Sequence, residues 1–128
     1  MRWLLVAIGI FGLSGCQRGF DIEVAGNIDR PTFTLTKAAL SKGVCFTAVN
    51  IVQPSSGRLT YFWGIFAKSK CVEVKELVYG TVPIGLVEGR PLVPLREGDI
   101  YKINASGNGW TGSLSFTCDA EHCRATNK

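Results

Sequence analysis

At 128 residues the chain has room for one hydrophobic core and not for two. Its 14 Lys and Arg against 10 Asp and Glu give a formal charge of +4, spread along the chain with no basic run and no interleaved aromatics. That is the pattern of solvated surface, and it excludes the usual footprint of a nucleic-acid-binding protein.

The first segment stands apart from the rest of the chain. Arg2 supplies a positive start, and Leu4-Leu5-Val6-Ala7-Ile8-Gly9-Ile10-Phe11 is an uncharged apolar run. It is far short of the roughly twenty residues a membrane span needs and suits the apolar middle of a secretory signal. Leu13-Ser14-Gly15-Cys16 comes next. These residues resemble the lipobox of bacterial lipoproteins, in which an apolar residue and two small ones precede the cysteine that becomes the new N-terminus. The resemblance implies that residues 1–15 are a cleaved signal peptide. It also implies that Cys16 carries a diacylglycerol and an amide-linked acyl chain such as palmitate, a covalent lipid being the only cofactor-like group expected. Two or more chains anchor stably where one is marginal. Gln17 stands where an Asp would favour retention at the inner membrane, which points to the outer membrane with the domain facing the periplasm. Residues 16–19 then form a tether of about 13 Å at most, and 20–128 the domain. So short a tether holds the domain against the headgroups, with any partner close by.

From Phe20 onward the dominant signal is period two, with β-branched and aromatic residues between turn formers. Phe20, Ile22 and Val24 alternate with Asp21 and Glu23, and Phe33 and Leu35 alternate with threonines. Residues 37–42 suit one helical turn closed by Gly43. Further strands are predicted over 44–52, 59–67 and 71–79, with a loop at Pro54-Ser55-Ser56-Gly57. Residues 80–94, punctuated by Gly and Pro, read as edge-strand pieces. Strands over 99–105 and around Leu114, Phe116 and Cys118 flank a turn at Gly107-Asn108-Gly109. About seven short strands and no long helix predict a single all-β sandwich. With Cys16 assigned to lipid, Cys45, Cys71, Cys118 and Cys123 remain, an even number suited to disulfides in an exported domain. Three pairings are possible, and Cys45–Cys71 with Cys118–Cys123 is preferred because the last two lie so close.

Leu95-Arg96-Glu97-Gly98-Asp99-Ile100-Tyr101-Lys102-Ile103-Asn104-Ala105 resembles the tyrosine-corner region of immunoglobulin-like and fibronectin type III domains. The resemblance implies a tyrosine hydroxyl bonded back to nearby backbone, and it speaks to fold rather than function. It departs from the pattern at Ile103, where antibody domains carry their inter-sheet cysteine.

Candidate chemistry is sparse. His122 lies in Cys118-Asp119-Ala120-Glu121-His122-Cys123, but the cysteines lack the two-residue spacing usual for zinc, so a disulfide-closed loop is expected and no metal. No nucleophile–base pattern, zinc-protease motif or phosphate loop occurs, and the chain is expected not to be an enzyme. Asn104-Ala105-Ser106 fits a glycosylation pattern by coincidence. In strand 59–67, Tyr61, Trp63 and Ile65 are predicted on one face and Phe62, Gly64 and Phe66 on the other. Apolar residues on both faces suggest either a covered central strand or an exposed patch for a protein partner. Trp110, in a glycine-rich tip, is either an interface anchor or a ring folded back on its hairpin. Tyr61, Phe62, Phe66 and Trp110 are thus the candidate partner-binding residues. The expected role is a lipid-anchored, non-catalytic accessory module bound to another envelope protein. The alternative is an inhibitor or protective lipoprotein acting on a soluble target such as a lysozyme, or on an exclusion target.

Overall fold

A computed structural model describes residues 18–126 except Ser56; the expected signal peptide over 1–15 and the expected acylation site at Cys16 lie outside the described residues. The described chain is an all-β sandwich. Its elements are β1 (Arg18–Gly19), β2 (Ile22–Ala25), β3 (Thr32–Leu35), α1 (Lys37–Ser41), β4 (Ala48–Ser55), β5 (Arg58–Ala67), β6 (Glu76–Val78), β7 (Leu86–Arg90), β8 (Ile100–Gly107), β9 (Trp110–Cys118) and β10 (Cys123–Ala125). One sheet runs β1-β9-β8-β4-β5-β7 with β10 added beside β9, and the other runs β2-β3-β6. The arrangement fits an immunoglobulin-like domain in general.

Alternation decides most of these strands. In β8, Tyr101, Ile103 and Ala105 are buried while Lys102, Asn104 and Ser106 face outward. In β9, Phe116 and Cys118 point inward and Thr111 and Ser113 outward. The β8–β9 hairpin turns on Asn108 and Gly109, both at positive φ (44° and 82°), the backbone that a two-residue hairpin of matching twist demands. Helix α1 is capped by Thr36, whose hydroxyl accepts the Ala39 N–H at 3.3 Å.

The core packs Trp63, Tyr101 and Phe116 between the sheets, with Phe33 edge-on to Phe116 at 5.1 Å. The Arg96 N–H donates to the Tyr101 hydroxyl at 2.7 Å, the backbone link that the resemblance implied for this tyrosine. The Tyr79 hydroxyl lies between the carbonyls of Phe62 and Val93. Burial raises the pKa of both tyrosines, Tyr79 the more strongly, with Tyr101 adding to the rise at Tyr79. The gap between the sheets, bounded by Ile22, Phe33, Phe46 and Val49, is about 10 Å³. That is barely one water and far too small for a ligand.

Disulfides join Cys45 to Cys71 and Cys118 to Cys123, the pairing preferred from spacing. The first closes a 26-residue separation, which stabilises the fold by about 3 kcal/mol on the chain-entropy account. The second bridges two residues that face each other across β9 and β10.

Several boundaries differ from the alternation pattern, mostly because the chain changes sheets. Arg18 and Gly19, read as tether, are strand β1, pairing in parallel with Trp110 and Thr111. The strand read through Phe20 breaks there, since β1 belongs to the large sheet and β2 to the small one. Residues 44–47 are not strand: Val44, Cys45 and Phe46 are all buried in succession, and Phe46 makes only an isolated bridge to Val72. The segment 71–79 is regular only at β6, because 71–75 carries the chain from one sheet across to the other. Conversely, Pro54 and Ser55 extend β4 opposite Leu59 and Arg58 instead of forming a loop. The described residues therefore hold ten strands rather than about seven.

Candidate functional site

The aromatic strand β5 does not alternate simply. Ile51 pairs with Trp63 and Val52 with Tyr61, leaving Phe62 as the extra residue of a bulge. The bulge sends both Phe62 and Trp63 inward. Phe62 packs edge-on against Tyr101 at 4.9 Å and Trp63 against Tyr79 at 5.5 Å. The Trp63 indole N–H is satisfied by the Glu88 carboxylate at 3.0 Å. Tyr61 is thereby switched to the face it was not expected to share, alongside Gly64 and Phe66.

Two of the four candidate partner residues are therefore core residues. Phe62 is 5% exposed and Trp110 is 9% exposed. Trp110 opens β9 and turns inward, with the Arg18 guanidinium 5.5 Å from its ring centroid, so it is not an exposed loop-tip anchor. The turn at Asn108-Gly109 is too tight to carry it outward. Tyr61 and Phe66 remain on the surface at 36% and 46%.

Around them the outer face of the large sheet has an ordered make-up. Strand register aligns three rows across it: Ser115, Lys102, Val52 and Tyr61; Ser113, Asn104, Asn50, Gly64 and Arg90; and Thr111, Ser106, Ala48, Phe66 and Val87. None of these is an acid, and the two charged members, Lys102 and Arg90, are cationic. Arg90 folds over Gly64 so that its guanidinium stacks on Tyr61, 4.3 Å from the centroid. Gly64 makes this possible, since a Cβ there would stand 2.8 Å from Asn50 Oδ1 and 2.9 Å from Arg90 Cγ. Phe66 lies over Gly89, whose added Cβ would meet the ring at 2.8 Å. Beside Phe66 and the folded Arg90 runs a shallow trough of about 290 Å³, its other walls formed by Ala48, Asn50, Gly64, Ile65 and Gly89. Among the described residues, neither the Asn50 nor the Asn104 amide spends its donors or acceptor on another protein group.

The margin of this face is β7, the open edge of the large sheet. A second bulge at Gly89, the flanking Pro91, and the charges of Glu88 and Arg90 blunt it against strand addition. The binding capacity thus belongs to side chains on the face rather than to the edge backbone.

The C-terminal cluster is spent on its own turn. Asp119 Oδ1 accepts the N–H groups of Glu121 and His122 at 2.9 and 2.7 Å. Those two bonds, with smaller help from the charges of His122 and Arg124, hold its carboxyl below the usual range. Both cysteine sulfurs are consumed in the disulfide, leaving a carboxylate engaged with backbone and one histidine.

A scan against protein-family models finds no match, and searches of curated proteins and of solved structures find none either. No helix among the described residues is long and apolar enough to cross a membrane.

Proposed function

We propose that the chain is a bacterial envelope lipoprotein, anchored through Cys16, whose sandwich is a non-catalytic module binding another envelope protein through the outer face of its large sheet. The observation that carries this reading is the composition of that face. Tyr, Phe, Ser, Asn, Gly and Arg side chains are presented on rigid strands, with half-buried amides left unspent and no carboxylate. Rigid aromatics supply contact area at low entropic cost, and small polar groups supply adaptable hydrogen bonds. The cations Arg90 and Lys102 suit a partner surface that carries carboxylates.

The finer fold reading, an immunoglobulin or fibronectin type III relative, is supported by three features. These are the β9-β8-β4-β5 order opposite β2-β3-β6, the parallel pairing of β1 with β9, and the Arg96–Tyr101 link. The lipobox resemblance of Leu13-Ser14-Gly15-Cys16 supports the anchor, and Gln17 supports an outer-membrane location facing the periplasm. The inhibitor alternative relies on residues 107–112, whose tryptophan is turned into the core.

The test is site-specific photo-cross-linking in cells, with the reactive residue placed at Phe66 or, as a control on the small sheet, at Glu23. One dominant adduct from Phe66, absent from Glu23 and lost in Cys16→Ala, is the expected result. Equal adducts from both positions, or none from Phe66, would rule out the face. Mass spectrometry of the N-terminal peptide reads the acylation separately.

A further inference from the structure

The chain enters the fold at one end of the sandwich, and of the six described lysines all but Lys102, which stands on the outer face of the large sheet, gather at that same end. The Arg18 N–H donates to the Gly109 carbonyl at 2.7 Å, which puts residue 18 at the tip of the β8–β9 hairpin. That tip abuts the Cys45–Cys71 disulfide, for a Cβ on Gly107 would lie 2.8 Å from Cys71 Sγ. Backbone bonds carry the same end across the sheet: Thr47 N–H to the Ser106 carbonyl at 2.7 Å, Ala67 N–H to Thr47 at 2.8 Å, and Lys68 N–H to Gly85 at 3.4 Å. Helix α1 closes the end beyond β3, with Leu40 sharing a hollow with Gly43, Val44, Glu73 and Lys75.

This end presents the cations Arg18, Lys37, Lys42, Lys68, Lys70 and Lys75 against Asp21 and Glu73, with Glu23 and Glu76 one row further in on either side of Thr34. It also presents Leu40 and, at the tip between Pro83 and Gly85, Ile84, which is 99% exposed. The opposite end lacks this cationic surplus, five carboxylates standing against four arginines. There Ile28 N–H bonds the Asp119 carbonyl and Gly98 N–H the Cys118 carbonyl, gathering the carboxylates Asp29, Glu97, Asp99, Asp119 and Glu121. Among the described residues, every cation at that end is an arginine (Arg30, Arg58, Arg96 and Arg124).

From this we infer that the lysine-rich end, with Ile84 at its tip, is a docking surface for an anionic lipid bilayer. Only Gln17 separates the proposed anchor Cys16 from Arg18, about 7 Å of extended chain from one Cα to the other, so an acylated Cys16 brings this end within a Debye length of the headgroups. The choice of this end rests on the proposed anchor, but the charge and the exposed isoleucine do not. Seated this way, the sandwich stands with its strands roughly along the bilayer normal. The Tyr61–Phe66 face is then turned sideways, open to a neighbouring envelope protein, and the opposite end points away.

The test uses the chain from residue 16 with Cys16→Ser, which removes any anchor. Among the described residues the buried core runs from Phe20 to Cys123, and this form keeps all of it. Co-sedimentation is measured with vesicles of phosphatidylcholine alone and of phosphatidylcholine with phosphatidylglycerol. The expected result is binding to the anionic vesicles only, falling steeply with salt. Lys68→Gln and Lys70→Gln should each weaken it about fivefold, and Ile84→Ser should weaken it further, while Arg58→Gln with Arg124→Gln leaves it unchanged. Equal partition onto both vesicle types, indifference to the lysine variants, or an equal loss in the arginine pair would overturn the inference. An unacylated Cys16 in the native protein would instead sink the anchor while the vesicle result stood.

Discussion

Replacing Trp110 with alanine separates a core tryptophan from an interface tryptophan. The ring is 9% exposed and belongs to the core cluster at the end of the sheet, so Trp110→Ala removes a large buried side chain where the backbone has little freedom to collapse. Losses of about 3–5 kcal/mol are typical of such truncations, and the ring's position at the sheet margin argues for the lower figure. For a domain of this size each kcal/mol moves the midpoint by about 4–8 °C, so a fall of about 12 °C or more is expected. Arg18→Ala should cost far less, about 0.5–1 kcal/mol, because only its stacking on the exposed side of the ring is lost. The assay is thermal unfolding by circular dichroism with both disulfides intact, run beside the Phe66 cross-link at a temperature where the variant remains folded. Cross-linking should persist in Trp110→Ala. An unchanged midpoint with the cross-link abolished would refute the burial argument and restore Trp110 as a partner contact.

Tyr101→Phe leaves the Arg96 N–H without its acceptor and should cost about 1–3 kcal/mol, read as a lower urea midpoint at constant slope; a cost below about 0.5 kcal/mol would show that the corner is ornamental to stability. Burial raises the Tyr79 pKa above the ordinary value near 10. Its contribution is therefore complete below about pH 10 and lost as pH rises through the folded-state value; Tyr79→Phe should flatten the alkaline fall in stability, and an unaltered fall would assign it elsewhere. Gly64→Ala places a Cβ against Asn50 and Arg90. It should lower the Phe66 cross-link severalfold while costing about 1–3 kcal/mol in stability, and full cross-linking in that variant would detach the Arg90–Tyr61 stack from binding.

Local patterning carried much of the fold. Period two in Tyr101, Ile103 and Ala105, and the turn residues Asn108 and Gly109, specify their own backbone. Their inward and outward faces and positive φ values depend on neighbours only a few residues away. The helical turn over 37–42 and the proline-flanked edge strand β7 are readable for the same reason. The disulfide pairing was ordered by spacing alone.

Tertiary packing decided where the candidate site lies. Strict alternation assigns Tyr61 to the side of Trp63, and only a bulge opposite Ile51 and Val52 reverses this, because two consecutive aromatics are needed in the core against Tyr101 and Tyr79. A bulge is a compromise between two strands, so neither strand's own sequence announces it. Trp110 is settled in the same way: its local segment is glycine-rich and polar, but the fold turns the ring into the core cluster, with Arg18 of the distant β1 over it. The gathering of Arg18, Lys42, Lys68 and Lys70 at one end comes from chain reversals that return to the same edge of the sandwich. Scattered along the sequence those charges read as ordinary solvated surface, and only the folded topology makes them a single field.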